Sequence, residues 1–333
     1  MEELDNYDYQ LPPELIAQAP ATPRDAARLL IYERQSGQTK LATFVDLPEY
    51  LPANSIVVFN QTKVIPARLT LNRSSGGKVS ILYLKRIGGQ LEVLANRRLK
   101  MGEELFHHEE KFFTVNEAVG NHYLLDANFD LAEVEAVFER WGETPLPPYM
   151  KQSPLSEVER REQYQTVFAK EAGSVAAPTA SLHFTPELLL RLAAKGIQIE
   201  YVTLHVGLGT FAPLKPDHFA SGELHEEFFT ITPDTQERLR AARLAGRKII
   251  AVGTTTARVL ESDWQAVSTK IFIRPGYEFN FVSGLVTNFH VPRSSLLMLV
   301  ATLVGREKLL ALYQEAISQK FRFYSFGDGM LVL

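Results

Sequence analysis

The 333-residue chain contains no cysteine. That absence excludes disulfides, thiolate nucleophiles, iron–sulfur clusters and cysteine-ligated zinc. Long apolar runs are also missing. The longest apolar helix candidate, residues 296–304, falls far short of the roughly 20 residues needed to span a bilayer, so no membrane span is expected. The opening, MEELDNYDYQLPPE, is acidic and lacks the basic-then-apolar order of a signal peptide, which predicts a cytoplasmic protein. The eight histidines show neither H-E-x-x-H nor another paired ligand spacing, so no metal site is expected. No internal repeat and no low-complexity linker interrupts the chain.

What is present is an ordinary globular composition, 45% hydrophobic and 22% charged, long enough for about two domains. The net charge of −4 argues against a globally basic nucleic-acid binder but hides an asymmetry. Between Lys63 and Lys100 nine basic residues accompany the single acid Glu92, whereas residues 102–145 carry eleven acids against Lys111 and Arg140. Such a segment is either a dipolar module with one phosphate-seeking face or a small β-domain with ordinary solvated strands.

The patterning predicts an insertion. SIVVF at 55–59 reads as a buried strand ending in the polar turn NQTK. From about 68 to 124, short alternating segments broken by glycine pairs have the rhythm of a small antiparallel sheet or barrel. A helix over 131–140 and the turn-rich PLPPYM at 145–150 follow. Beyond them strands alternate with helices: helix 186–196, strand 197–206, helix 233–245, strand 248–253, helix 256–264, strand 270–276, then helices 294–304 and 306–320. That alternation marks an α/β domain with a largely parallel sheet. The expected architecture is a discontinuous α/β domain, residues 1–67 and 149–333, with a small antiparallel β-barrel, 68–148, inserted.

The segment GSVAAPTASLHF, at 173–184, is too poor in bulk to build a core alone. Small side chains let backbone N–H groups approach a ligand, while His183 and Phe184 add a titratable group and a stacking surface. Comparable segments, VTLHVGLGTFAPL, AVGTTTARVLES and LVTNFHVPRSSLLMLV, place Gly, Thr, Asn or His just after apolar runs. Strand ends deliver ligand-binding loops in this way in α/β proteins. Gly207, Gly209 and Ala212 fit G-x-G-x-x-A, but Pro213 and Pro216 follow at once and LKPDHF shows no helix pattern, which argues against a dinucleotide site. Gly253 to Thr256 has no Walker lysine, yet such a turn suits an anion or a ribose at a helix start. His225 and Glu227, two apart on a strand, share a face and form a candidate acid/base pair.

Taken in order, these blocks resemble the S-adenosylmethionine:tRNA ribosyltransferase-isomerase family of the queuosine pathway over essentially the whole chain. The resemblance runs from DYQLPPELIAQAPATPRDAARLL at 8–30 through NQTKVIPARL, PLPPYM and YQTVFAKEAGSVAAPTASLHFTPELL. It continues in VTLHVGLGTFAPL, AVGTTTARVLES and IFIRPGYEF, and ends in TNFHVPRSSLLMLV and FRFYSFGDGMLV. It implies the inserted-barrel architecture and a reaction in which S-adenosylmethionine donates a ribosyl group. The implied acceptor is the exocyclic amine of 7-aminomethyl-7-deazaguanine at the wobble position of tRNA, and the products are epoxyqueuosine in tRNA, adenine and methionine. No metal or redox cofactor is implied, and a monomer is expected.

That chemistry needs a base to remove a proton beside the sulfonium, a group to ease adenine out and a dry pocket. The candidate bases, in order, are His225, His205 and Glu227, with His183 and His290 behind them. The donor is expected among 178–184, 205–211 and 253–258. The residues named there are Thr179, His183, Phe184, Gly207, Gly209, Thr210, Phe211, Thr254, Thr255 and Arg258. Phe184, Phe211, Tyr277 and Phe289 are the candidate stacking partners. For the acceptor and the tRNA backbone the candidates are Lys63, Arg68, Lys78, Arg97, Arg98, Asn288, Phe289, His290 and Arg293. The chain departs from the family pattern at Gln61, Lys63, Ser80, Gln152, Gln163, Ser181 and Glu226. Those departures leave open a paralogue with another acceptor or an inactive RNA-binding relative.

Overall fold

The computed structural model describes residues 2–120, 122–207 and 214–333. The chain opens with β1 (Arg28–Glu33), β2 (Gln38–Thr43), β3 (Ile56–Asn60) and the short β4 (Thr62–Val64). Six strands follow closely: β5 (Arg68–Arg73), β6 (Lys78–Ile87), β7 (Gln90–Ala95), β8 (Glu104–His107), β9 (Glu110–Val119) and β10 (His122–Ala127). The remainder are β11 (Glu171–Ser174), β12 (Gln198–Leu204), β13 (Glu223–Thr230), β14 (Ile249–Val252), β15 (Ser268–Ile271), β16 (Gly284–Asn288) and β17 (Gly329–Val332).

Nine of these strands form one sheet in the order β15-β13-β12-β3-β14-β16-β17-β1-β2. Its centre, β12-β3-β14-β16, is parallel. Antiparallel pairs lie outward at β12–β13, β13–β15, β16–β17 and β1–β2. Burial on both faces explains the apolar runs of the central strands. Ile56 and Val58 of β3 enter the core on one face, Val57 and Phe59 that on the other; Ile249 and Ala251 of β14 alternate likewise with Ile250 and Val252. Helices Thr254–Leu260, Ser295–Val304 and Arg306–Ser318 contribute to the first face, and Pro186–Ala194 to the second.

The segment of alternating strands closes on itself as a barrel, β10-β7-β6-β5-β8-β9. Its interior is filled by inward residues such as Leu69, Leu71, Ile81, Val93, Phe113 and Leu125, capped by Phe138 from helix Val134–Trp141. The α/β class with an inserted antiparallel barrel is as expected from sequence. Some elements differ locally. A helix, Pro216–Ser221, occupies the stretch read as patternless, because Pro216 sits in the first turn, where its missing N–H costs nothing. The helix read as 256–264 runs instead over Thr254–Leu260, because complete burial of its threonines outweighs their modest helix propensity. The strand read over 270–276 is Ser268–Ile271. Among the described residues no helix is long and apolar enough to cross a membrane.

Candidate active site

The C-terminal ends of the parallel strands β3, β12, β14 and β16 open on one edge of the sheet, the usual ligand edge of an open α/β sheet. Asn60, fully buried at the end of β3, ties these ends together. Its Nδ2 donates to the Leu204 carbonyl (2.9 Å) and weakly to Thr255 Oγ1 (3.4 Å). Its Oδ1 accepts from the Leu204 and Thr62 amides (3.0 and 3.1 Å). β14 turns into its helix through Gly253, whose φ of +90° suits a residue without Cβ. Between these ends lies a cavity of about 60 Å³ lined by Thr179, Gly253, Thr254, Thr255, Asn288 and Tyr324 among others.

Two buried histidines brace this cavity. Thr179 Oγ1 donates to Asn288 Oδ1 (2.8 Å), and Asn288 Nδ2 lies 3.3 Å from His183 Nε2. The His183 ring stacks on Phe44 with centroids 4.2 Å apart. His290 Nε2 lies 2.7 Å from Thr287 Oγ1, its amide donates to the Tyr313 hydroxyl (2.9 Å), and its carbonyl accepts from the Tyr9 hydroxyl. Burial pushes both imidazoles down to about 3, so both are neutral braces at neutral pH. The unfolded chain, with histidines near 6.5, binds more protons between pH 6.5 and 3, so stability falls as pH drops through that window. The two rings together should remove on the order of 2–3 kcal/mol between pH 7 and 5.5. Denaturant titrations at the two pH values, with histidine NMR, check this: either ring titrating near 6.5 refutes it.

A second cavity, of about 800 Å³, lies where the barrel faces the sheet edge, and Val206 lines both cavities. The barrel supplies Lys85, Arg86, Glu92, Leu94 and His122; the α/β domain supplies His205, Lys215, His225, Glu226 and Glu227. The His205 ring is held by Thr62 Oγ1, 2.9 Å from Nδ1. It rests against Gly173, where a Cβ would meet the ring at 3.0 Å and φ is +142°. Any larger residue there pushes the ring aside. Burial depresses the proton affinity of this imidazole. Thr62 is fully buried and belongs to the NQTK turn, where sequence reasoning attended to its neighbours and passed over its hydroxyl.

His225 and Glu227 of β13 both line the large cavity, together with Glu226 and Phe228, where the register of the strand shifts. They differ sharply in environment. His225 is exposed at the rim, its ring 4.9 Å from that of His218, and is depressed by desolvation and then by His218 and Lys215. Glu227 is 3% exposed; its Oε1 accepts from the Gly207 amide (3.0 Å) and its Oε2 pairs with Arg258.

Several residues expected at the ligands sit elsewhere. Phe184 is fully enclosed between Phe59 and Phe44, so it is a core residue with no face free to stack on a ligand. Phe289 does line the smaller cavity, but its ring packs among Tyr313, Phe321 and Phe323; Tyr277 is tied to Glu261 (3.1 Å). Arg293 Nε donates to Asp8 (3.0 Å), and its charge is met by Asp8 and Asp5, which removes it as a free cation for phosphate. Arg68 is half-buried, its backbone paired with Glu143. Lys63, Lys78, Arg97 and Arg98 are exposed, and among the described residues none of the four has an ion pair. Gly209, Thr210 and Phe211 lie outside the described residues. The aromatic faces beside the smaller cavity are instead Tyr149 and Tyr324, rings 4.8 Å apart. Tyr324 holds a φ of +70°, a conformation found chiefly where the surroundings over-determine it. Their blocks, PLPPYM and FRFYSFGDGMLV, were visible in sequence but carried no aromatic periodicity to single them out. Among the described residues no group of three or more His, Cys, Asp or Glu is placed to hold a metal ion.

Comparison with known proteins shows the family. The family model for queuosine biosynthesis proteins matches residues 4–332. The chain belongs to the queuosine biosynthesis protein family. Curated relatives of this family from Moorella thermoacetica (44% identical, 99% of each chain) and Anaeromyxobacter (43%, 99% and 98%) are S-adenosylmethionine:tRNA ribosyltransferase-isomerases. The solved structure of an S-adenosylmethionine tRNA ribosyltransferase from Thermotoga maritima is similar over 98% of this chain and 100% of its own. Its TM-score is 0.56 at 33% identity.

Proposed function

We propose that this queuosine-family protein transfers and isomerises the ribosyl group of S-adenosylmethionine onto the exocyclic amine of 7-aminomethyl-7-deazaguanine at the wobble position of tRNA. The products are epoxyqueuosine in tRNA, adenine and methionine. The observation that carries the reading is the pair of cavities meeting at Val206. The smaller, under the strand-end loops, has room for only part of the donor; the larger, beside the barrel, has room for the rest and for an extruded base. In this reading residues 1–67 and 149–333 form the catalytic domain and 68–148 the inserted barrel, acting as a cytoplasmic monomer without metal or redox cofactor.

The donor lies against Thr179, Thr254, Thr255, Tyr149 and Tyr324, with the backbone of Gly207 and Asn288 nearby. His205, next to Val206 in the larger cavity, takes the proton from the carbon beside the sulfonium, whose positive charge makes that carbon acidic. Glu227 anchors Arg258 and the Gly207 turn; His225, at the rim, is the second candidate base. Of the acids around the larger cavity, Glu92 is paired with Lys85 and His122 and Glu135 with Arg86, so Glu226, bonded to Ser268, is the one that suits an aminomethyl group arriving as a cation. Adenine release with tRNA carrying the aminomethyl base, unmodified tRNA and no tRNA tests the reading. Release that depends on the modified tRNA supports it. Release indifferent to the tRNA points to another acceptor, and tRNA binding without release to an inactive relative.

The tRNA backbone is expected on the exposed barrel cations. Arg97→Ala with Arg98→Ala should raise the tRNA KM and flatten the salt dependence, by a slope of about 0.7–0.9 for each phosphate left unneutralised. Donor KM should not move. An unchanged salt slope places the tRNA elsewhere.

A further inference from the structure

Arg258 projects from helix Thr254–Leu260 with its side chain 6% exposed. Its Nη1 pairs with Glu227 Oε2, but Nε and Nη2, both buried, have no hydrogen-bond partner among the described residues. Buried N–H groups are nearly always satisfied in native proteins, and unmet donors on a charged group are especially costly. Nε–H and Nη2–H are parallel. They form the edge of the guanidinium that receives a carboxylate through two bonds at once. Glu227 therefore fixes Arg258 from one side and leaves its bidentate edge free on the other.

That arginine lines a chamber of about 10 Å³ walled by Leu224, His225, Ile273, Ser295, Leu296 and Leu299. Ser295 opens the ten-residue helix Ser295–Val304, so the wall also presents the positive end of a helix. Leu296 belongs both to this chamber and to the cavity under Thr254 and Thr255, and is the partition between them. The chamber as it stands holds no more than a water-sized group. A ligand in the neighbouring cavity reaches Arg258 only when the Leu296 side chain turns aside.

We propose that Arg258 seats the α-carboxylate of the donor's methionine arm through Nε and Nη2, with Leu296 as the side chain displaced. This rests on the reading of the Thr254–Thr255 cavity as the donor site. A seat of this kind explains why a guanidinium with two open donors is kept in the core.

The test compares S-adenosylmethionine with its decarboxylated analogue in wild-type protein and in Arg258→Lys. Lysine keeps a cation beside Glu227 but lacks the fork. Donor affinity by calorimetry and KM from adenine release are read in parallel. Wild type should favour the carboxylated donor by about 10- to 100-fold, the range of a charged hydrogen-bonded pair, and Arg258→Lys should shrink that ratio to below about threefold. A wild-type ratio near one, or an undiminished ratio in Arg258→Lys, overturns the inference. The wild-type comparison needs no variant to fold. Turnover of S-adenosylmethionine with a ratio near one sinks the carboxylate seat alone; no turnover of either donor with modified tRNA sinks the functional reading.

Discussion

His205→Ala should lower the rate constant for adenine release about 10²- to 10⁴-fold, the span of a general base, while donor affinity stays within a few-fold. That loss corresponds to about 3–5 kcal/mol in the barrier. The geometry gives His205 three properties that a base needs. Its ring is fixed, by Thr62 at Nδ1 and by Gly173 beneath it. It lines the larger cavity, next in the chain to Val206, which lines both. Desolvation also holds its pKa below the ordinary histidine value, so the lone pair is available at neutral pH. The rate should therefore be flat at neutral pH and fall only on the acid side of the ordinary histidine range. Thr62→Val, which keeps shape but removes the hydroxyl, should lower the rate and shift that limb, and Thr62→Ser should restore both. A near-normal rate in His205→Ala with collapse in His225→Ala would transfer the role to the rim histidine.

The sequence showed which residues gather at the strand ends far better than it showed their roles. Period and punctuation were enough for the central strands and the barrel, because β3 and β14 are buried at every residue and the barrel strands are punctuated by glycine turns. β1 and β17 pair across almost the whole chain, Leu29 opposite Gly329. No local pattern announces a pairing at that separation. Side-chain type also misled in a consistent direction. Phe184, Phe289 and Tyr277 were read as stacking surfaces, yet each is committed to the core or to a carboxylate. Aromatic residues near a ligand loop are as useful for sealing the floor beneath it as for touching the ligand. Tyr149 and Tyr324 were missed because the chain brings them together from distant points, at one wall of a cavity that no segment forms alone. His225 and Glu227 do line one cavity, but only burial separates an exposed imidazole from a carboxylate locked to Arg258.

The Glu227–Arg258 pair should have the larger structural consequence. The two residues are only 3% and 5% exposed, and the pair joins β13 to the helix that follows Gly253. Removing one partner of such a pair leaves an uncompensated charge in a low-dielectric site, which costs about 3–5 kcal/mol. Glu227→Ala also deprives the Gly207 amide of its acceptor, so the turn after β12 loses its tether. The expected result is a fall in the thermal midpoint on the order of 10 °C and a matching fall in the urea midpoint without a large change in slope. Glu227→Gln should be milder, since an amide oxygen still accepts from Gly207 or Arg258 but carries no charge. The double variant Glu227→Ala with Arg258→Met should recover much of the stability, because an apolar side chain leaves no charge to compensate. Its donor affinity should not recover, since the carboxylate seat is gone. A Glu227→Ala protein within about 1 kcal/mol of wild type would mean that water reaches the pair and that the chamber around Arg258 is not a dry site.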